Sequence, residues 1–125
     1  MEELQSKLQA EIDKYKALEK EYHKAVSQRQ VLEGQLHENV GVKQELDLLK
    51  DDGEVYKLIG PVLVKQDLAE SKQNVAKRMD YIKGELKRVD DNIAALEKKQ
   101  EQHKEKLAKL QTQFQQEQVK AAVKA

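Results

Sequence analysis

The stretch Val55–Gln66, VYKLIGPVLVKQ, is apolar and β-branched, whereas the sequence around it is rich in lysine, glutamate and glutamine. Two short runs of strand-forming residues, Glu54–Ile59 and Val62–Lys65, lie on either side of Gly60-Pro61. Glycine at the first corner can adopt a positive φ, and the fixed ring of proline suits a turn but could not donate a hydrogen bond from inside a strand. The stretch therefore predicts a β-hairpin.

Turn and capping residues bound this hairpin on both sides. The sequence Asp51-Asp52-Gly53 favours a turn over a further helical turn, and so predicts the end of a preceding helix. Asp67, with Glu70 three residues later, has the spacing of a capping box at the start of a following helix. We expect a helix over residues 1–50, a hairpin element over 51–66, a second helix over 67–118 and a frayed tail over 119–125.

Apolar residues on both sides of the hairpin recur at alternating spacings of three and four, which is the heptad pattern of a coiled coil. Before the hairpin this seam contains Leu4, Leu8, Tyr15, Leu18, Tyr22, Ala25, Leu32, Leu36 and Leu46, with interruptions at Glu11, Arg29, Asn39 and Lys43. After it the seam contains Leu68, Val75, Met79, Ile82, Leu86, Val89, Ile93, Leu96, Leu107, Leu110, Phe114 and Ala121, with interruptions at Lys72, Gln100, His103 and Glu117.

A tight hairpin between two helices makes them run antiparallel, and the two seams match when the numbers of facing residues add to about 118. Toward the chain ends this register predicts three layers that contain a polar group, which must be hydrogen-bonded or remain hydrated. These layers are Glu11 with Leu107, Tyr15 with His103, and Leu18 with Gln100. The predicted fold is mainly α, a long antiparallel two-helix coiled coil joined by one β-hairpin.

A homodimeric coiled-coil scaffold or tether is the alternative. In that arrangement two continuous helices from different chains pair in parallel, and the central stretch is only an interruption. The two arrangements differ in length, because a chain that folds back on itself has arms about half as long as one continuous helix.

Composition argues against several other classes of protein. Only 38% of the 125 residues are hydrophobic and 4% aromatic, so a pocket-forming core is not expected and we predict no enzyme. The 23 basic and 23 acidic residues are mixed along the chain, which offers no basic face to nucleic acid. The amino terminus is acidic and amphipathic, unlike a secretory signal, and no apolar run approaches the roughly 20 residues of a membrane span. We expect an intracellular protein without membrane or nucleic-acid partners.

The hairpin cannot be stable alone, because a two-stranded sheet leaves both outer edges unpaired. Its apolar side chains also alternate onto both faces, and burying each larger one would contribute about 1.5 to 3 kcal/mol. We therefore expect other chains to complete the sheet. The residues assigned to this assembly, called the hairpin residues below, are Val55, Tyr56, Leu58, Ile59, Val62, Leu63 and Val64.

The chain resembles the β-type subunits of prefoldin. The resemblance is carried by QLHEN at residues 35–39, by VYKLIGPVLVKQ at 55–66 and by VAKRMDYI at 75–82, and in length and layout it covers nearly the whole chain. A single central hairpin fits the β-type class, since α-type subunits carry a second one.

This resemblance implies a subunit of a heterohexameric cytosolic co-chaperone that works without ATP. Its hairpin would complete β-barrels with other α-type and β-type prefoldin subunits. Its helical arms would hold unfolded proteins such as nascent actin and tubulin and pass them to the cytosolic group II chaperonin. No cofactor and no metal are implied.

Holding many different clients requires exposed, weakly committed apolar surface, which the ends of the two arms provide. The residues in question, called the terminal apolar residues below, are Leu4, Leu8, Ile12, Leu107, Leu110 and Phe114. The competing explanation is that heptad residues here simply close the coiled coil. Val40, Val42 and Tyr81 lie off the seam near the hairpin, where scattered exposure is the simplest interpretation. His103 lies on the seam, where its protonation is expected to weaken the neighbouring layers.

Overall fold

The computed structural model describes residues 2–124 and consists of two helices joined by a hairpin. Its elements are α1 (Glu2–Leu48), β1 (Val55–Ile59), β2 (Val62–Gln66) and α2 (Leu68–Lys124). The predicted fold class is confirmed. The chain divides into two compact units, one formed by Gln28–Val89 and the other by the residues up to Ser27 together with those from Asp90 onward. We call the first the hairpin unit and the second the terminal unit.

The predicted seams are the buried faces of both helices. Every buried apolar side chain among the described residues is a seam residue, namely Ala25, Leu46, Val75, Met79, Ile82, Val89 and Leu96. The interruptions differ from one another, since Glu11 and Asn39 are also buried whereas Lys43 and Lys72 are exposed. Heptad position therefore predicts which face is turned inward, but the burial of a polar residue there depends on whether it finds a partner.

The core of the hairpin unit forms where the two helices meet the hairpin. Leu46, Val75 and Met79 form a buried cluster against which Leu36, Val40, Val55 and Leu68 pack. The prediction of scattered exposure is therefore wrong for Val40, whose side chain reaches this cluster from beside the seam. Asn39 is accommodated because its side-chain amide donates to the Gln35 carbonyl at 2.7 Å.

The end of α1 is set by a tight turn. The Gly53 amide donates to the Lys50 carbonyl at 2.8 Å, which closes the turn that contains Asp51 and Asp52. A Cβ on Gly53 would lie 3.0 Å from both the Leu49 Cβ and the Lys50 carbonyl oxygen, a tight contact that favours glycine at this position. The helix ends at Leu48, two residues before the predicted boundary.

The start of α2 has the predicted cap, and its end differs from the prediction. A carboxylate oxygen of Asp67 accepts from the Glu70 amide at 3.0 Å, as an N-cap residue does. The tail assigned to residues 119–125 is helical through Lys124, and Ala125 lies outside the described residues. Ala121 and Ala122 favour the helix beyond Phe114, because alanine has the highest helix propensity.

The turn between the strands is made by Gly60 and Pro61. Gly60 has φ +58°, and the register pairs Ile59 directly with Val62, which leaves a two-residue loop. A positive φ followed by the fixed negative φ of proline is the pattern of a type II′ turn, whose twist matches that of the strands. The predicted hairpin is confirmed. The parallel-dimer alternative, in which the centre is only an interruption, is therefore wrong.

Replacing Gly60 with alanine is expected to destabilise the hairpin by about 1 kcal/mol, because an L-residue is strained in the left-handed region. Hydrogen exchange of the strand amides should then be about fivefold faster. Gly34→Ala is the matched control, since Gly34 is helical with no atom within 4 Å of an added Cβ, and it should leave hairpin exchange unchanged. Equal exchange in the Gly60 variant and the wild type would contradict the assigned turn.

Candidate assembly and client-binding sites

The strand register divides the hairpin side chains between two faces. The pairs are Val55 with Gln66, Tyr56 with Lys65, Lys57 with Val64, Leu58 with Leu63, and Ile59 with Val62. Since directly paired residues share a face and successive residues alternate, Ile59, Val62 and Val64 lie on one face and Tyr56, Leu58 and Leu63 on the other. Both faces are apolar.

Within the described chain these side chains are left largely uncovered. All the hairpin residues except Val55 are exposed, and Leu58 reaches 67%. Val55 differs because it packs against the core cluster of Leu46, Val75 and Met79. The helices of this chain therefore cover Val55, which anchors one end of β1 to them. The exposed surface begins at Tyr56.

Both outer edges of the sheet are unpaired within residues 2–124, because the sheet has only two strands. The two-residue turn makes Ile59 and Val62 a hydrogen-bonded pair, and hydrogen-bonded and non-hydrogen-bonded pairs alternate along an antiparallel ladder. The non-hydrogen-bonded pairs are then Leu58 with Leu63 and Tyr56 with Lys65. Their backbone N–H and C=O groups point outward, where another strand can pair with them.

One small polar cluster lies beside these apolar faces. The Tyr56 hydroxyl donates to Glu54 Oε2 at 2.9 Å, and Lys65 Nζ lies 3.8 Å from Glu54 Oε1. The hydrogen bond to the Glu54 carboxylate, together with its negative charge, raises the pKa of Tyr56. Tyr56 is therefore a neutral hydrogen-bond donor at physiological pH.

The six terminal apolar residues lie in the terminal unit, and each is half-buried rather than buried. Leu4 and Leu110 line open, partly polar clefts together with side chains such as Lys7 and Gln113. By contrast, the seam residues Ala25 and Leu96 of the same unit are buried. The structure thus places the predicted client-binding residues on loosely covered surface.

The terminal unit also contains a buried carboxylate. Glu11 is only 5% exposed, and its Oε2 lies 2.8 Å from His103 Nδ1. Its Oε1 lies 3.3 Å from Lys106 Nζ and 3.8 Å from Lys14 Nζ. The sequence register set His103 opposite Tyr15, but its hydrogen bond goes to Glu11. An imidazolium at His103 would attract the Glu11 carboxylate, so this contact does not support the expectation that protonation weakens the layer.

Two contacts between the helices of the terminal unit support the predicted register. The Tyr22 hydroxyl donates to Glu97 Oε1 at 3.4 Å, and Lys106 pairs with Glu11. The numbers of these partners add to 119 and 117, close to the predicted value of about 118.

Acid should weaken the terminal unit through Glu11. The hydrogen bond from His103 is the largest cause that lowers the Glu11 pKa from its ordinary value of 4.5, and Lys106 adds to it against the opposing effect of burial. A carboxylate with a lowered pKa stabilises the fold above its unfolded-state value, and that stabilisation is lost as the pH falls through the folded-state value. We expect the thermal midpoint of Glu11→Gln to lie below that of the wild type at pH 7 and to approach it near pH 3.

Circular dichroism melts at the two pH values measure this effect. Glu105→Gln is the control, because Glu105 lies exposed on the same helix as His103 and its substitution removes the same charge. If the difference in thermal midpoint between wild type and Glu11→Gln stays constant down to pH 3, the charge of the Glu11 carboxylate does not contribute to stability.

Sequence reasoning missed two apolar residues at the end of α2. Val119 is 62% and Val123 is 81% exposed, and they lie one turn apart on the helix that was assigned to a frayed tail. Val119 also lines an apolar groove with Thr112 and Gln116. The sequence prediction ended the second helix at residue 118. Because the helix continues past Phe114, the spacing of four residues places both valines on one side of it.

Two other kinds of site are absent from the described residues. Within residues 2–124, no three His, Asp or Glu side chains are grouped so as to hold a metal ion. Neither of the two helices described contains an apolar stretch that could cross a bilayer.

Fold and hairpin together define a class of protein, the antiparallel two-helix coiled coil whose helices are joined by a two-stranded β-hairpin. Three comparisons give the family. The family model for prefoldin subunits matches residues 9–114. Prefoldin subunit 6 of Mus musculus is 50% identical over 119 residues, which cover 95% of this chain and 94% of that protein. The probable prefoldin subunit 6 of Drosophila melanogaster is 54% identical over 112 residues, or 90% of each chain.

A solved structure supports the same fold. The crystal structure of the prefoldin beta subunit from Thermococcus strain KS-1 matches with a TM-score of 0.59 and 24% identity, over 88% of this chain and 90% of that one. The chain belongs to the prefoldin family. Membership makes it a chaperone subunit rather than a member of a known enzyme family, and implies assembly with other prefoldin subunits.

Proposed function

We propose that this chain is a β-type subunit of a heterohexameric prefoldin that holds unfolded and nascent proteins without ATP. Its hairpin joins β-barrels with α-type and β-type partners in the cytoplasm. The terminal apolar residues hold clients of the actin and tubulin class, which then pass to the group II chaperonin.

The observation that carries the assembly part is the uncovered hairpin. Six exposed apolar side chains lie on two faces of a sheet whose outer edges are both unpaired among the described residues. Such an element is marginal in water and is stabilised when neighbouring strands cover its edges and faces. Partner hairpins supply strands of the same kind, which is why we assign all the hairpin residues to assembly, with Val55 as the anchor.

The client-holding part is supported by the terminal unit. Its terminal apolar residues are half-buried, so local fraying exposes Leu4, Leu8 or Phe114 without disrupting Ala25 and Leu96. Binding that uses exposed apolar surface and no fixed polar contact accepts many sequences and remains reversible. Reversible holding of this kind needs no nucleotide.

Co-expression with the other prefoldin subunits tests the proposal. Native mass spectrometry should show a single copy of this chain in a hexamer. The purified hexamer should suppress aggregation of denatured actin without ATP and release it to the chaperonin. A chain that stays out of the hexamer contradicts the assembly part, and a hexamer that leaves aggregation unchanged contradicts the holding part.

A further inference from the structure

The buried carboxylate of Glu11 has no part in the proposed assembly or in the proposed contact with clients. Among the described residues, Glu11 and Asn39 are the two buried polar side chains. Asn39 donates to a carbonyl of its own helix, that of Gln35. Glu11 instead has its closest partners on the opposite helix, His103 at 2.8 Å and Lys106 at 3.3 Å. The contacts of Glu11 therefore hold α1 to α2 and are lost when the two helices separate.

Glu11 lies between the chain ends and the buried core of the terminal unit. Counted inward from the start of α1, it is the first buried residue among those described. Counted inward from the end of α2, the first is Leu96, which lies beyond His103 and Lys106. The terminal apolar residues around this cluster are all half-buried. A separation of the helices that begins at their ends thus reaches the Glu11 contacts before it reaches the buried core.

A leucine in place of Glu11 would close this part of the coiled coil more firmly. Position 11 follows Leu8 by three residues and precedes Tyr15 by four, so a leucine there would continue the apolar seam. A leucine is stabilised by burial alone and needs no partner. A buried carboxylate needs donors, and it exchanges them for water when the helices separate, so its net contribution to closure is smaller.

An open cleft beside Glu11 gives water access to the cluster. Its lining consists of Lys7, Ala10, Glu11, Lys14, Lys106 and Leu110. The side chains of Lys14 and Lys106 are 61% and 62% exposed, so both ammonium groups stay hydrated whether or not they contact the carboxylate. Ion pairs with exposed partners contribute little net free energy. The contacts can therefore break and re-form readily, next to a terminal apolar residue, Leu110.

We propose that Glu11, held by His103 and Lys106, is a latch that sets how readily the ends of the two helices separate to receive a client. While the latch is closed, the terminal apolar residues stay half-buried, and when it opens they become accessible. Glu11 itself touches no client, so it is a positioning residue. The inference rests on the client holding proposed above, and its first measurement is made without client so that the two can fail separately.

Hydrogen exchange of the co-expressed hexamer without client tests the latch. Amides of residues 4–10 and 107–114 should exchange about tenfold more slowly in Glu11→Leu, because the apolar seam is then continuous, and about tenfold faster in Glu11→Gln, because a charge-assisted contact is lost. His103→Ala should behave like Glu11→Gln, since it removes the partner on the opposite helix. Glu105→Gln is the control, because Glu105 is exposed on the same helix, and it should exchange like the wild type.

Suppression of actin aggregation by the same hexamers tests the consequence for clients. The apparent affinity for a client scales with the fraction of ends that are open. The hexamer concentration that gives half-maximal suppression should therefore be about tenfold higher for Glu11→Leu and about tenfold lower for Glu11→Gln. Native mass spectrometry confirms beforehand that each variant is present in the hexamer.

The two proposals fail in different ways. Exchange that is as fast in Glu11→Leu as in the wild type, or faster in both Glu11 variants, overturns the latch. Opposite shifts in exchange with unchanged holding by Glu11→Leu also overturn it, because opening then does not limit client access, and they leave the client holding of the wild type standing. A wild-type hexamer that suppresses no aggregation contradicts the proposed function, whatever the exchange of the variants shows.

Discussion

Changing Ile59 and Val64 together to lysine is expected to lower the affinity of this chain for other prefoldin subunits by at least about a hundredfold. Both side chains are exposed on the same face of the hairpin, and neither belongs to the core cluster or packs against it. Burying each in an interface contributes about 1.5 to 3 kcal/mol, and lysine forfeits that contribution and adds a charge that must be desolvated. Helicity should stay at the wild-type value, because the substitutions lie outside both helices.

Native mass spectrometry of the co-expressed subunits checks this result, and circular dichroism checks the helices. Val31→Lys with Val119→Lys is the matched control, since it places two lysines at exposed valines on the helices. That variant should enter the hexamer normally. Full incorporation of the hairpin variant would mean that the subunits associate through another surface.

Changing Leu4, Leu8, Leu110 and Phe114 to serine is expected to reduce the capacity of the hexamer to suppress aggregation by about tenfold. These side chains are half-buried in the free chain, so a client can cover only the part that is exposed. Each contact therefore contributes less than the about 1.5 to 3 kcal/mol of full burial. Assembly should be unaffected, because none of the four lies in the hairpin unit.

The matched control changes the same four residues to methionine, which keeps the surface apolar and adaptable. Light scattering of denatured actin with hexamer in excess measures holding for both variants. The methionine variant should hold as well as the wild type. If intact hexamers of the serine variant hold denatured actin as well as the wild type does, these residues only close the coiled coil.

Much of the fold could be predicted from the sequence because its determinants are local. The type of each element follows from periodicity, and the turn follows from Gly60-Pro61, where one residue supplies a positive φ and the next a fixed negative one. The start of α2 follows from Asp67 and its spacing to Glu70. None of these requires knowledge of a distant contact.

The misses come from contacts between distant residues. Heptad register assigns the layer of each residue, but the His103 ring is hydrogen-bonded to Glu11, one helical turn from Tyr15, the residue predicted to face it. Val40 and Val55 become covered because three elements converge at the base of the hairpin, which no single periodicity encodes. The exposed hairpin residues have no cover among the described residues, and under the proposed assembly their partners are strands of other chains, which this sequence does not encode.

The two outer edges of the hairpin also make self-association directional. One edge belongs to β1 and the other to β2, so pairing the β2 edge of one subunit with the β1 edge of the next regenerates a free edge at each step. Such a head-to-tail contact closes into a ring only if the rotation per step returns to the start, and otherwise grows as a filament. The right-handed twist between neighbouring strands sets that rotation. Under the proposed assembly, copies made in excess of their partners would be able to polymerise through these edges, and partner strands would prevent this by occupying them.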